Sequence, residues 1–319
     1  MQAAIEVQGL RKSYADTVGV QDVSFTVEHG EIFGIVGPNG AGKTTTVECI
    51  EGLRVPDGGQ ISVLGLDPGS DRSRLTQRLG VQLQDSELPE RLRVGEALRL
   101  YSSFYAAPAD WRELMEQLGL TPKERAKFGK LSGGQRQRLS IALALIGQPE
   151  VVVLDELTTG LDPQARRDTW ALIEGVRARG TTVLLVTHFM EEAERLCDRV
   201  AVIDSGRVIA LDSPAALAAS AQAEQRIRFR PTSPLDDQLL RELPDVISVQ
   251  RHGGQVTVTG TSNVVNAVTS LLASRNIVAE QLRVDQGSLE DAFVALTGGH
   301  DTSGPGTGPA SEIGRTNVG

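Results

Sequence analysis

Short apolar runs alternate with helix-type segments through the first two thirds of the chain, and this pattern predicts an α/β unit. Residues 3–8 and 20–27 alternate apolar with polar positions, which is typical of strands with one buried face. Val151–Leu154 is apolar at every position, which is typical of a strand buried on both faces, and Thr181–Val186 has a similar character. Because helix-type segments separate these strands, we expect right-handed βαβ connections and a largely parallel sheet.

Two stretches depart from this alternation. Residues 93–147 show helical spacing and few strand signals, which predicts a helical insertion. Residues 226–296 follow the order strand, helix, strand, strand, helix, strand, helix, which predicts a small α+β domain. We therefore expect a first domain over residues 1–224, with its helical part at about 88–147, and a C-terminal domain over residues 225–298.

The composition is that of an ordinary globular protein, with 40% apolar and 23% charged residues. A net charge of −9 argues against nucleic acid as the main partner. No apolar run approaches the roughly 18–20 residues that cross a bilayer, and the first residues lack the features of a secretory signal. Cys49 and Cys197 are far apart in the chain, so we expect reduced thiols in the cytosol. Residues 299–319 are rich in glycine, serine, threonine and proline, so we expect a disordered tail.

A glycine-rich loop, Gly37–Thr45, follows the apolar run Glu31–Val36 and precedes a helix-type segment. Its spacing, G-x-x-x-x-G-K-[ST], is typical of loops whose backbone N–H groups bind phosphate oxygens. The helix that follows adds partial positive charge, Lys43 adds a full charge for the β- and γ-phosphates, and Thr44 adds a hydroxyl for Mg²⁺. A chance glycine-rich turn is the alternative. The strand before the loop and the helix after it favour nucleotide binding.

Two adjacent carboxylates, Asp155 and Glu156, follow the apolar strand Val151–Leu154. Carboxylates at the end of a buried strand are costly unless they are paired or used. In a parallel sheet they lie beside the glycine loop, where a magnesium-holding carboxylate is expected. A solvated strand end is the simpler alternative. Tyr14 is either an ordinary surface tyrosine or a ring that stacks on a purine.

The pentapeptide Leu131-Ser132-Gly133-Gly134-Gln135 occurs in the same chain as the glycine loop. With it, residues 1 to about 220 resemble the ATP-binding cassette family, because L-S-G-G-Q is nearly exclusive to that family. The spacing of Leu154-Asp155-Glu156, Leu161-Asp162 and Thr187-His188 fits the same family. The resemblance implies an α/β P-loop NTPase fold, in which a parallel-sheet core carries an antiparallel β subdomain and a helical insertion.

The resemblance also implies that the chain binds ATP and Mg²⁺. The whole glycine loop would surround the ATP phosphates, namely Gly37, Pro38, Asn39, Gly40, Ala41, Gly42, Lys43, Thr44 and Thr45. Tyr14 would stack on adenine. Thr44 and Gln84 would hold Mg²⁺, with Asp155 behind them. Gln82 is a rival to Gln84, but we prefer Gln84 because it ends the apolar strand and precedes a polar turn.

Catalysis and dimerisation follow from the same resemblance. Glu156 would polarise the attacking water as general base, His188 would contact the γ-phosphate, and Gln84 would complete the catalytic set. Four residues of the L-S-G-G-Q signature pentapeptide would contact ATP bound to a second, head-to-tail copy of the chain: Ser132, Gly133, Gly134 and Gln135. Asp162 would lie at the interface between the two copies. A plain helix cap is the alternative for Ser132 alone. Leu157 departs from the family pattern, where proline is usual, and should change local stiffness rather than chemistry.

The segment Gly287–Phe293, with Leu296-Thr297-Gly298, resembles the closing motif of bacterial drug- and lipid-exporter cassettes whose membrane half is a separate chain. This implies an ATPase subunit that drives multidrug or lipid efflux through an integral membrane permease. It would lie at the cytoplasmic face of the membrane, held there by the permease. A soluble cassette ATPase acting on ribosomes or nucleic acid, and an importer subunit, are the alternatives. Leu289 and Phe293 would in any case cover an apolar face.

Overall fold

The computed structural model describes residues 3–14, 17–82, 88–220, 225–261, 263–285 and 288–297. The predicted role of Gln84 and the expected disorder of residues 299–319 lie outside these residues. Within them, no helix is long and apolar enough to span a membrane.

One large sheet of nine strands organises the described residues up to 220, which we call the large body. Its strands, in chain order, are β1 (Ile5–Tyr14), β2 (Thr17–Val27), β3 (Ile32–Val36), β4 (Gly58–Val63), β5 (Leu79–Gln82), β6 (Val151–Asp155), β7 (Thr182–Thr187), β8 (Arg199–Asp204) and β9 (Arg207–Asp212). Their order across the sheet is β4-β1-β2-β9-β8-β3-β7-β6-β5. The neighbouring strands β8, β3, β7, β6 and β5 are parallel to one another, whereas β1 pairs antiparallel with both β2 and β4.

The parallel strands are buried on both faces, as their continuous apolar runs predict. Successive residues of these strands belong to two different cores because strand side chains alternate between faces. Val152 and Leu154 face the core that the helical layer covers, whereas Val151 and Val153 face the core beneath β1 and β2. The two cores hold the C-terminal ends of the parallel strands at one edge, where polar side chains are collected.

Helices cover this sheet and form the expected insertion. In the large body they are α1 (Lys43–Ile50), α2 (Arg72–Leu75), α3 (Val94–Ser102), α4 (Trp111–Gln117), α5 (Gly133–Leu145), α6 (Pro163–Ala178), α7 (Met190–Leu196) and α8 (Pro214–Ser220). Two 3₁₀ turns, Thr121–Lys123 and Phe128–Lys130, precede α5. Helices α3 and α4 pack on α5, so the predicted helical insertion is confirmed over this part of the chain.

The C-terminal residues form a second, antiparallel sheet of four strands in the order β11-β12-β10-β13. Its elements are β10 (Gln225–Pro231), α9 (Asp237–Arg241), β11 (Val246–His252), β12 (Gln255–Gly260), α10 (Val264–Ser274) and β13 (Ala279–Asp285). This is a ferredoxin-like βαββαβ arrangement. Side chains from α9 and α10 share a core with one face of the sheet. We call this unit the small domain.

The final helix, α11 (Leu289–Thr297), packs against the large body rather than against the small sheet. Its contacts are with α7 and α8, and Leu289 is fully buried in the core of the large body. Phe293, one turn later, packs against the same core. The sequence pattern predicts that α11 belongs to the domain of residues 225–298. In the structure, however, α9 and α10 already cover the apolar face of the small sheet. The apolar face of α11 is therefore buried on the large body.

Candidate functional site

The glycine loop is formed between β3 and α1 by residues that have no room for a side chain. A Cβ atom on Gly37 would lie 2.1 Å from the carbonyl oxygen of Ile203. Gly42 has a φ of 101°, and a Cβ there would lie 2.4 Å from the carbonyl oxygen of Gly19. Glycine is therefore required at both positions by the neighbouring backbone. The loop leads directly into α1, whose first N–H groups face it.

Lys43 is held inside this loop. Only 5% of the residue is exposed, and its ammonium donates hydrogen bonds to the carbonyl oxygens of Gly37 (2.9 Å) and Pro38 (3.0 Å). Burial lowers the pKa of Lys43, while the nearby carboxylates of Glu156 and Asp155 oppose this effect. The loop thus holds the Lys43 ammonium in a fixed position, and the two acids lie close enough to raise its pKa.

The two acids lie at the end of β6, as the sequence predicts. Asp155 is buried, its Oδ1 atom has no hydrogen-bond partner among the described residues, and burial raises its pKa to about 6, with a further contribution from Glu156. Glu156 has a φ of 47°, which a non-glycine residue seldom adopts, and its N–H donates to the carbonyl oxygen of Val186 on β7. An orphaned buried carboxylate oxygen beside a phosphate-type loop is suited to a metal ion and its bound water.

His188 follows β7 and faces the same acids. Its Nδ1 atom lies 3.3 Å from Oε1 of Glu156, without the alignment of a hydrogen bond. The imidazole contacts the ring of Phe189, with centroids 4.1 Å apart, and the guanidinium of Arg166 lies over that ring at 4.6 Å. The structure therefore brings Lys43, Asp155, Glu156 and His188 to one edge of the parallel sheet.

Tyr14 lies against α1 rather than standing free on the surface. Its hydroxyl is 3.2 Å from Oγ1 of Thr45, and the guanidinium of Arg54 lies 5.1 Å from its ring centroid. A Cβ on Gly19 would lie 2.7 Å from the ring, so this glycine makes space for the tyrosine. The ring is half-buried beside the glycine loop, which is compatible with either interpretation of Tyr14 made from the sequence.

The signature pentapeptide forms a second cluster with the segment around Asp162. Ser132 caps α5, and it forms a capping box with Gln135, whose side chain accepts a hydrogen bond from the Ser132 N–H at 3.1 Å. Asp162 caps α6 by accepting from the N–H groups of Gln164 and Ala165. The two helix starts are adjacent, because a Cβ on Gly134 would lie 3.5 Å from Cβ of Ala165. Ser132 and Gly133 are exposed.

Two further polar residues lie near the site: Gln82, the sequence-based rival of Gln84, and Glu51, which the sequence did not single out. The amide oxygen of Gln82 accepts a hydrogen bond from the N–H of Asp155 at 3.1 Å, and only 5% of Gln82 is exposed. Gln82 is therefore directed at the backbone of β6, and a polar residue at the end of the apolar strand β5 was the available signal. Glu51 ends α1 and is buried, and burial raises its pKa to about 8, with further contributions from Asp155 and Glu48. No local pattern marks Glu51, which lines a groove together with residues of β5 and α5 that are distant in the sequence.

Comparisons with known proteins agree with this geometry. The ABC transporter family model matches residues 20–159. The Nod factor export ATP-binding protein I of Rhizobium sp. (strain N33) is 40% identical over 313 residues, covering 93% of this chain and 98% of that protein. The protein of the same description from Burkholderia lata is 47% identical over 221 residues, covering 67% of this chain and 72% of its own length.

Solved structures give the same result for the fold. The structure of an ATP binding subunit of an ABC transporter is 29% identical, with a TM-score of 0.62, and it matches 68% of this chain and 92% of its own. The structure of cbiO1 from Clostridium perfringens, part of the ABC transporter complex cbiONQ, is 26% identical, with a TM-score of 0.62. The chain therefore belongs to the ABC transporter family, as an ATP-binding ATPase subunit, and the α/β fold class expected from the sequence is confirmed.

Proposed function

We propose that the chain is the ATP-hydrolysing subunit of an export complex whose membrane part is a separate permease. The observation that carries this proposal is the convergence of Lys43, Asp155, Glu156 and His188 at one edge of the parallel sheet. A cation held in a phosphate-type loop, a buried acid pair and an imidazole are the parts that phosphoryl transfer to water requires.

Nucleotide and Mg²⁺ binding are assigned from this arrangement. The glycine loop and the start of α1 bind the phosphates, and the half-buried ring of Tyr14 is proposed to stack on adenine. The hydroxyl of Thr44, the orphaned oxygen of Asp155 and the side chain of Gln84 would hold Mg²⁺, directly or through water. The metal would neutralise charge on the phosphate oxygens.

Glu156 is proposed as the general base. Its backbone N–H is fixed by Val186, and its carboxylate lies 3.3 Å from His188 Nδ1, so both side chains face one point beside the loop. Glu156 accepts a proton from the attacking water, and His188 orients that carboxylate and the terminal phosphate. Pre-positioning of these groups reduces the reorganisation that the reaction needs.

A second copy of the chain is proposed to complete the site. Ser132 and Gly133 are exposed at the start of α5, where helix N–H groups favour an anion. The adjacent Asp162 cap lies at the same surface because α5 and α6 pack together. In a head-to-tail dimer, this surface would contact the phosphates bound to the other chain.

The permease is proposed to dock in a groove between the sheet edge and the helical insertion. The groove has a volume of about 420 Å³, and Leu53, Leu75, Tyr101 and Leu143 are among the residues that line it. Leu53 is 49% exposed there. Gln82 lies next to this groove and accepts a hydrogen bond from the backbone of Asp155. A permease helix docked in the groove would therefore be connected with the nucleotide site through Gln82. The chain would then be held at the cytoplasmic face of the membrane by its permease.

Export is the direction supported by the relatives named above, which are described as Nod factor export proteins. We propose drugs, lipids or other amphipathic molecules as the class of cargo. The permease, rather than this chain, would select among them.

Hydrolysis is tested by Glu156→Gln, measured as phosphate release and as ATP binding. General-base removal should reduce turnover by about 10²–10⁴-fold, with ATP binding kept and a nucleotide-bound dimer accumulating. Glu174→Gln, which changes a surface ion pair with Arg195, is the matched control and should keep its turnover. Hydrolysis at the rate of the unmodified chain in Glu156→Gln would remove Glu156 from this role.

Permease coupling is tested by Leu53→Asp in a complex with a co-expressed candidate permease, a membrane protein that co-purifies with the unmodified chain. Loss of co-purification, with the ATPase activity of the isolated chain kept, is the expected result. Leu100→Asp is the matched control, since Leu100 is 48% exposed on α3 and Leu53 is 49% exposed in the groove. Equal retention of the membrane protein by both variants would contradict the docking site.

A further inference from the structure

The imidazole of His188 lacks a hydrogen bond that would fix its orientation. Among the residues that the structure describes, its Nδ1 atom is buried without a hydrogen-bond partner. The nearest carboxylate oxygen, Oε1 of Glu156, lies 3.3 Å away but is not aligned for a hydrogen bond. In the proposed function this ring faces a phosphate and a carboxylate at once, which requires a fixed orientation. The orientation must therefore come from packing.

Phe189 supplies the packing contact with the imidazole. The two ring centroids are 4.1 Å apart, at an interplanar angle of 40°. The turn that carries both rings is fixed, because the N–H of Phe189 donates to Oγ1 of the fully buried Thr187 at 3.0 Å. The next residue, Met190, is buried in the core of the large body. The turn thus places the phenyl ring against the imidazole.

The phenyl ring is in turn held from α6. Phe189 is only partly buried and, among the described residues, belongs to neither apolar core of the large body. The guanidinium of Arg166 lies over the phenyl ring, 4.6 Å from its centroid. A guanidinium is attracted to the face of an aromatic ring, and the attraction is stronger where water is excluded. The side chain of Arg166 is 24% exposed, so water is largely excluded from this contact.

The other contacts of Arg166 are weak. Its Nε atom is buried and has no hydrogen-bond partner within the described part of the chain. Its ion pair with Glu191 has a separation of 3.7 Å, and the side chain of Glu191 is 72% exposed, so water and salt screen this pair. The stacking of the guanidinium on the phenyl ring is therefore the contact that best accounts for the position of Arg166.

We propose that Arg166 is a positioning residue that acts through Phe189 on the His188 imidazole during ATP hydrolysis. The proposal rests on the role proposed above for His188. Contacts run from α6 to the site in the order guanidinium, phenyl ring, imidazole and carboxylate. Helix α6 is a rigid support because Thr169 and Trp170 anchor it in the large body. Arg166 thus gives the imidazole the fixed backing that hydrogen bonds do not supply.

The test measures kcat and KM for ATP hydrolysis by the full chain. Arg166→Gln should lower kcat by about 3- to 30-fold, the equivalent of one cation–π contact, with KM kept within about twofold. Arg166→Lys keeps a cation for the ring and should recover most of this loss. Arg167→Gln is the matched control, since Arg167 is exposed and donates to Gln164. Arg167→Gln and Glu191→Gln, which removes only the screened ion pair, should both keep their kcat within about twofold.

A double-mutant cycle separates positioning from a general loss of packing. Phe189→Leu should lower kcat at least as much as Arg166→Gln, and the two changes together should lower it no further than Phe189→Leu alone, because they act through one contact. In a His188→Ala background, Arg166→Gln should have no further effect. In a Glu156→Gln background, Arg166→Gln should still accumulate the nucleotide-bound dimer.

The outcomes distinguish this proposal from the proposed function. Full kcat in His188→Ala would refute the role of His188 and this proposal with it. Reduced kcat in His188→Ala, with full kcat in Arg166→Gln and in Phe189→Leu, would overturn this proposal alone. Additive losses in the double variant, or loss of the dimer on Arg166→Gln, would also overturn it, because Arg166 would then act on packing or on the dimer surface.

Discussion

Glu51 gives a pH-dependent prediction that can be worked out from its position. The residue ends α1, where the helix dipole disfavours a negative charge, and it is only 7% exposed. Burial raises the pKa of Glu51 from its ordinary value of 4.5 to about 8, and Asp155 and Glu48 add to this. Because the folded-state pKa lies above the unfolded value, the folded chain binds the proton more tightly. The stability that this proton provides is complete below about pH 4.5 and is lost as the pH rises through about 8.

The size of the effect follows from linkage, at about 1.4 kcal/mol for each pKa unit. At pH 7, about 2.5 units above the unfolded value, the ionisable side chain costs about 3 kcal/mol. Glu51→Gln keeps the shape and polarity of the neutral acid but removes this dependence. We therefore expect the variant to be more stable than the unmodified chain by about 1 kcal/mol at pH 5, and by about 3 kcal/mol at pH 7.

Urea unfolding between pH 5 and 8.5 measures this difference. Trp111 and Trp170 both lie in the large body, so tryptophan fluorescence reports on the unit that contains Glu51. Glu116→Gln on the exposed side of α4 is the control and should shift stability by no more than about 0.5 kcal/mol throughout. A stability difference for Glu51→Gln that is the same at pH 5 and pH 8 would refute the reasoning.

Three further changes test other parts of the chain. Lys43→Ala removes the buried cation of the loop and should weaken ATP binding by about 10- to 100-fold in calorimetry, the equivalent of a charged hydrogen bond; an unchanged affinity would count against its assignment. Leu289→Ala removes a fully buried side chain of α11 and should lower the free energy of unfolding by about 2–5 kcal/mol, whereas Leu296→Ala, at a position 40% exposed, should cost far less; equal costs would mean that α11 does not depend on this contact. Deletion of residues 300–319 should leave phosphate release within about twofold, and a large loss would show that the tail takes part.

Local patterns predicted the parts of the site that short segments define. The glycine loop between β3 and α1 is confirmed because its strand, turn and helix signals all lie within one short stretch. The acid pair at the end of β6 is likewise confirmed in position, since a fully apolar run predicts a buried strand with a definite end. The roles assigned to these residues and to Gln84 remain predictions.

Features that depend on distant parts of the chain were not predictable in the same way. The docking of α11 on α7 and α8 required knowledge of which apolar surfaces were already covered. The N–H of Leu289 also donates to the carboxylate of Glu194, an acceptor 95 residues away in the chain. The orientation of Gln82 towards Asp155 arises from the register of β5 on β6, which no single strand encodes.

The contact between α8 and α11 also has an evolutionary consequence. The chain leaves the large body after α8 and returns to it at α11, and these two helices pack on each other. The small domain is thus an insertion whose two attachment points are neighbours. A fold tolerates an inserted domain well when the two ends of the insert lie close together, because the insert then alters the host chain only at two adjacent junctions. We therefore expect the ATPase fold to tolerate replacement of the small domain by another domain whose two ends lie close together.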